Sequence, residues 1–164
     1  MSSYWAELVP SGFQVPLRLE ADGFHLRMIT VNDVVKDYDA VISSVVRLKG
    51  LMRPGSSWPD GLTLEDDPID LGWHQREFRF RRSFCYTMMS PDESVCLGAC
   101  YIYPSEKASF DAKAFWWVRT SAVADGFDER LGTTLRHWLR DCWPFKRVAF
   151  PGRDISWDEW HSAS

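Results

Sequence analysis

Residues 13–30 alternate apolar and polar positions around Asp22-Gly23, a two-residue signal for a tight hairpin. Phe24, Leu26 and Met28 share one face of a predicted strand over 24–30, with the preceding arm as its pairing partner. Thr30-Val31-Asn32-Asp33 then has the spacing of a capping box, with Asp in place of Glu. Val34, Tyr38, Val41, Ile42 and Val45 follow at helical spacing, so a helix is expected at about 31–46. Residues 50–62 collect Gly, Pro and Ser around Trp58, which is loop chemistry carrying one exposed large ring, and this loop is a candidate lid. A second helix is expected over 64–81, capped either by Thr63 or by Asp67 with Pro68 at the first helical position.

Residues 83–90 and 95–104 read as antiparallel strands joined by the turn 91–94; the second is apolar on both faces and belongs in the middle of a sheet. Residues 111–120 form another strand. From Gly126 a broad apolar stripe of Phe127, Leu131, Leu135, Trp138, Leu139 and Cys142 marks a helix that Trp143-Pro144 stops. A short strand at 146–150 precedes Pro151-Gly152 and a tail rich in Trp, Asp and Ser. Strand, two helices, three strands, helix, strand is the order of an α/β (α+β) fold with a mixed, mostly antiparallel central sheet and helices on both faces. A single domain spans 1–164, with an N-terminal arm at 1–23 and a C-terminal tail at 154–164.

Composition narrows the function classes. At 164 residues, 45% apolar and 26% charged, the chain is an ordinary globular domain. A net charge of −4 supplies no positive field for nucleic acid or an anionic membrane. The N-terminus lacks a leader pattern and no apolar run approaches the ~20 residues of a membrane span, which makes the cytoplasm the expected compartment. Cys85, Cys96, Cys100 and Cys142 form no C-x-x-C pair and read as small core thiols, and no histidine has metal-ligand spacing, so no metal is expected. Arg76, Arg79, Arg81 and Arg82, interleaved with Phe78 and Phe80, read as a solvated helix face, with contact to RNA or an acidic partner as the alternative. Nine Trp in an aromatic share of 15% imply that some rings serve a pocket or interface as well as the core.

The succession of LRMIT, a two-helix segment, the FCYTMM/CLGACYIYP hairpin, AFWWVR, the long helix and VAFPGR resembles the GCN5-related N-acetyltransferase (GNAT) family over roughly residues 24–153. The resemblance implies that the strand at 113–120 splays from its neighbour and holds the pantetheine arm of acetyl-CoA along Trp116 to Arg119. Trp117, Val118, Arg119 and Gly126 are then the cofactor-binding positions. In the family the following loop reads R/Q-x-x-G-x-G/A, whose small residues let amides at a helix N-terminus approach a pyrophosphate. Here the three positions fall on Val123, Gly126 and Asp128, and only Gly126 fits.

Asp125, Asp128 and Glu129 are expected either to repel phosphate charges or to serve the helix, Asp125 as its cap. Arg119, Arg136 and Lys113 are the cations that could compensate. The resemblance places Trp58, Glu77, Tyr101 and Tyr103, with His74, near the substrate pocket. The family's tyrosine acid beyond the fifth strand has no counterpart, because no Tyr follows Tyr103. Two readings stay open: acetyl transfer from acetyl-CoA to a small amine, or a catalytically silent domain that binds a small molecule or a protein. Strand 146–150 would be an exposed edge, to be covered by a homodimer partner or by the tail through Trp157 and Trp160.

Overall fold

The computed structural model describes residues 6–164. Its six strands are β1 (Arg18–Ala21), β2 (Phe24–Met28), β3 (Phe84–Met89), β4 (Cys96–Pro104), β5 (Ala112–Val118) and β6 (Val148–Ala149), in the order β1-β2-β3-β4-β5-β6. All neighbours pair antiparallel except β5 and β6, which run parallel. The helices are α1 (Val34–Ile42), α2 (Val45–Leu48), α3 (Asp66–Arg79), α4 (Thr120–Val123), α5 (Phe127–Cys142) and α6 (Trp157–Ser162). Gly23 closes the first hairpin at φ 83°, in the left-handed region that glycine enters without strain. No helix among the described residues is long and apolar enough to cross a membrane.

Alternation along the central strands builds two cores. Tyr86, Cys100, Ile102, Ala114, Trp116 and Val118 face α5 and pack on Leu131, Leu135 and Trp138. Cys85, Ala99, Tyr101, Phe115 and Trp117 face the other way and pack on Val41, Leu48 and Leu71 of α1–α3. Both faces of β3, β4 and β5 are therefore buried, which is why these strands read as nearly continuous apolar runs.

Several local expectations change. The helix over 31–46 is broken into a 3-10 turn at Val31–Asp33, α1 and α2. Thr30 and Asp33 do form the capping box, but Ser44 interrupts the helix and its hydroxyl accepts the Thr120 N–H at 2.9 Å, a tertiary bond that outcompetes helix continuity. At the start of α3, Thr63 Oγ1 accepts the Asp66 N–H and Asp66 Oδ2 accepts the Thr63 N–H, and Pro68 occupies a first-turn position whose N–H needs no helical partner.

Strand β6 is two residues long rather than five, because Asp111 Oδ2 accepts the Lys146 and Arg147 N–H groups in place of a ladder. Cys142 is exposed at the end of α5, unlike the three buried cysteines. Arg81 and Arg82 do not join a solvated face. Arg81 donates to Glu7 and to the Pro10 and Phe13 carbonyls, pinning the N-terminal arm, and Arg82 is buried in a bidentate pair with Glu77.

The C-terminal segment folds back as α6, started by a reciprocal Ser156–Glu159 capping box. Trp157 stacks on Phe115, and Trp160 packs against Phe110 beneath Lys107 and Lys113. Of the two coverings expected near the β6 edge, the tail therefore lies against the adjacent cleft.

Gly98, in β4, permits the closest backbone approach in the sheet: a Cβ there would stand 2.1 Å from the Trp117 carbonyl oxygen. Gly98→Ala is expected to destabilise the fold by about 3 kcal/mol, because backbone rather than a flexible side chain must yield. An unchanged urea midpoint for this variant would contradict the β4–β5 packing described here.

Candidate functional site

Strands β5 and β6 pair only at Ala112↔Val148 and Lys113↔Ala149 and then diverge. The notch this leaves exposes one edge of β5 from Ala114 to Val118, and the chain's own side chains occupy it. Arg153, from the turn after β6, donates to the Trp116 carbonyl at 3.2 Å, and Arg47 of α2 donates to the Val118 carbonyl at 3.2 Å. Both guanidinium groups also bind Asp128, in the first turn of α5. Arg47 Nη2 lies 3.1 Å from Oδ1, and Arg153 reaches Oδ2 at 2.9 Å and Oδ1 at 3.2 Å. The Trp116 indole N–H donates to the same Oδ1 at 3.2 Å. Four elements are thus tied to one carboxylate.

The Trp116 ring is held between two cations, with Arg153 Cζ 4.1 Å and Arg136 Cζ 5.1 Å from its centroid, while Arg136 pairs with Asp154 at 2.6 and 2.8 Å. Gly132 of α5 admits the ring: a Cβ there would meet Trp116 Cζ2 at 2.6 Å.

These contacts correct the expectation for the loop after β5. Asp128 is neither a free repulsive charge nor only a complement to the helix dipole; it is saturated by two arginines and an indole. Asp125 does not cap α5. Gly126 stands at the N-cap with φ 77° and no side-chain cap bond, and the Asp125 backbone carbonyl accepts from Arg130. The loop itself is wound into α4, so that the Ala122 and Gly126 amides are spent on the Arg119 and Val123 carbonyls.

The other expected cofactor positions are engaged as well. Trp117 is buried and donates to the Tyr101 hydroxyl at 2.8 Å, and Arg119 bridges Asp39, the Cys96 carbonyl and Ser43. Lys113 pairs with Glu106. A pyrophosphate placed here would have to displace the carboxylate from its arginines, so the residues present do not fit acetyl-CoA in this conformation.

On the opposite face of β5 lies an aromatic chamber. A cavity of about 770 Å³ opens beside Trp73, Tyr103, Phe115 and Trp157, and a smaller one of about 200 Å³ reaches Trp58, His74 and Tyr101. Met52, Arg53 and Tyr103 line both, so the two cavities adjoin there. The four predicted pocket residues divide between the two: Trp58 and Tyr101 line the small cavity, Glu77 the large one and Tyr103 both. Trp58 is half-buried rather than exposed, its ring 6.4 Å from that of Trp117.

Tyr101 and Tyr103 stack at 6.0 Å, and burial pushes both phenols well above their usual range, so they stay neutral. Burial also lowers the pKa of His74, whose ring lies 5.2 Å from Tyr101 and whose Nδ1 has no hydrogen-bond partner. Glu77 is committed to Arg82 and Arg76 at 2.8–2.9 Å, so its own carboxylate is not free for proton transfer. Sequence reasoning missed Arg47, Arg53, Arg153 and Trp73. Arg47 and Asp128 are 81 positions apart, and no local spacing marks such a pair.

No protein-family model and no curated protein matches the sequence. Solved structures do match. A ribosomal-protein-S5-alanine acetyltransferase from Vibrio fischeri superposes with a TM-score of 0.60 at 13% identity, covering 76% of this chain and 68% of its own. RimL, a ribosomal L7/L12 alpha-N-protein acetyltransferase solved with coenzyme A, gives a TM-score of 0.58 at 15% identity, covering 77% and 67%. A GNAT-family acetyltransferase from Bacillus anthracis gives 0.52 at 13%, covering 76% and 67%. The fold is that of the GNAT acetyltransferases. At these identities the likeness speaks for the fold alone, and the six-stranded sheet with its β5/β6 notch is where the GNAT-like architecture and this chain's own chemistry part.

Behind the small cavity, Asp37 of α1 and Asp67 of α3 are buried against each other, with Asp70 adding negative potential. Burial raises both carboxyls, Asp67 to about 6 and Asp37 well above its usual range, and one Asp67 oxygen lacks a partner. A carboxyl whose pKa rises on folding stabilises the fold when protonated. That contribution is complete below the unfolded value near 3.8 and is lost as pH rises through about 6. Asp67→Asn is therefore expected to be more stable than the natural chain at pH 8, with the advantage shrinking as pH falls toward 4. Denaturant titrations at both pH values check this, and a pH-independent difference would contradict the raised Asp67 carboxyl.

Proposed function

We propose that this chain is a divergent GNAT-family member in which the acetyl-CoA cleft is filled from within, and that it acts as a small-molecule-binding domain through the aromatic chamber. The observation that carries this reading is the Arg47–Asp128–Arg153 clamp. An acidic side chain sits where a phosphate would compete for the same guanidinium groups, and the Trp116 and Val118 carbonyls at the notch already have arginine donors. Trp157 closes the chamber side of the notch by stacking on Phe115 at 6.1 Å. Of the expected pocket residues, Tyr101 is buried with its hydroxyl accepting from Trp117, and Glu77 is ion-paired with Arg82.

A second reading, acetyl transfer from acetyl-CoA to a small amine, is favoured by the retained divergence of β5 and β6, together with neighbours of the same fold such as RimL, solved with coenzyme A. In that reading the clamp must open before the cofactor enters.

Isothermal titration of coenzyme A and acetyl-CoA into the natural protein and into Asp128→Gly separates the two. The silent-cleft reading expects no saturable heat from the natural protein, meaning a Kd weaker than about 1 mM. It expects measurable binding by Asp128→Gly, in which Arg47 and Arg153 lose their internal anion. Micromolar binding by the natural protein would overturn that reading and support the acetyltransferase.

A further inference from the structure

We infer that the aromatic chamber is a site for the zwitterion of a free aromatic α-amino acid, its carboxylate on Arg53, its ammonium toward Asp70 and its ring in the large cavity. The inference rests on reading the chamber as a small-molecule site, and is independent of whether the notch admits coenzyme A.

Charge complementarity selects the two ends of the ligand. Most charged groups lining the large cavity are paired internally: Glu77 with Arg82 and Arg76, and Lys113 with Glu106 at 2.8 Å. Arg53 is different. Its guanidinium has no hydrogen-bond or ion-pair partner among the described residues, and it lines both cavities where they adjoin, a position from which it could hold a carboxylate bidentately. The small cavity adds an unmatched negative charge, that of Asp70. The nearest basic group to Asp70 is His74 Nε2 at 3.6 Å, a histidine that burial keeps neutral near pH 7. Trp58, Tyr101 and Tyr103 surround the same small space, and their faces favour an ammonium group over a neutral one.

Size and shape select the rest. A volume of about 200 Å³ suits the head group of an amino acid, with its side chain in the larger cavity that adjoins it at Arg53 and Tyr103. That larger cavity, about 770 Å³, lies in the range of ligand pockets and is walled by Trp73, Tyr103, Phe115 and Trp157. Trp73 keeps 42% of its surface exposed, so it offers a ring face for a ligand to cover. A planar aromatic side chain fits those walls; a charged one would meet no free partner there.

The test titrates L-tryptophan, tryptamine and indole-3-acetate into the natural protein and into Arg53→Ala and Asp70→Asn, both at exposed positions. L-Tryptophan is expected to bind the natural protein more tightly than either one-charge analogue. Arg53→Ala should weaken L-tryptophan and indole-3-acetate about tenfold while leaving tryptamine unchanged, and Asp70→Asn should weaken L-tryptophan and tryptamine while leaving indole-3-acetate unchanged. Binding by none of the three, equal binding by all, or insensitivity of L-tryptophan to both substitutions would overturn the inference. Failure of the silent-cleft reading would register separately, in the coenzyme A titration.

Discussion

The carboxylate of Asp128 organises the distinctive half of this molecule. It is only about one-fifth exposed and is shared by guanidinium groups from α2 and from the turn after β6, and by the indole of β5. An isolated surface ion pair contributes little, but a carboxylate accepting several charge-assisted bonds in a partly dry site behaves as one unit. Remove the carboxylate and two arginines face each other across the β5 edge without an anion. The same geometry that stabilises the closed notch would therefore make it attractive to phosphate once Asp128 was gone. Closure and latent anion affinity are two consequences of one arrangement.

β5 carries this arrangement to both faces of the sheet. Trp116 points toward α5, where Gly132 makes room for it and Arg136 and Arg153 cover its ring. Phe115 and Trp117 point toward the chamber, where Trp157 stacks on the first and Tyr101 accepts a hydrogen bond from the second. The tail is fixed to this strand through Gly152. At φ 78°, and with Trp157 Nε1 where a Cβ would stand 2.5 Å away, that position requires glycine to bring the turn and the ring together. The clamp and the wall of the chamber are thus built on consecutive residues of a single strand.

Much of the fold was legible in the sequence, because its strongest signals are local. The Asp22-Gly23 hairpin, the two-faced apolar strands at 84–89 and 96–104 and the α5 stripe each follow from short-range periodicity. What failed locally failed for tertiary reasons: Ser44 breaks a helix to bind Thr120, and Asp111 replaces β6 ladder bonds with its own carboxylate. The site was legible only in part. The mismatch at Asp128 stood out against the family loop, and it was read either as repulsion of phosphate or as service to the helix; the clamp itself was not legible, since nothing in the spacing of Arg47 and Arg153 says they meet there. The same blindness hid Arg53 and Trp73, which gain meaning only once the 50–62 loop and α3 are seen lining the same two cavities as Asp70 and Tyr103.

The chamber and the notch make different demands on charge. In the notch the three cations Arg47, Arg136 and Arg153 each have an acidic partner within the chain, so an incoming anion must compete with a preformed pair. In the chamber Arg53 and Asp70 remain uncompensated while the groups around them are matched or neutral. Unmatched opposite charges flanking aromatic walls leave solvation to be replaced by a ligand rather than by the protein itself. In the reading proposed above, the ligand-binding surface lies not at the edge of β5 but on the face that the 50–62 loop, α3 and α6 enclose.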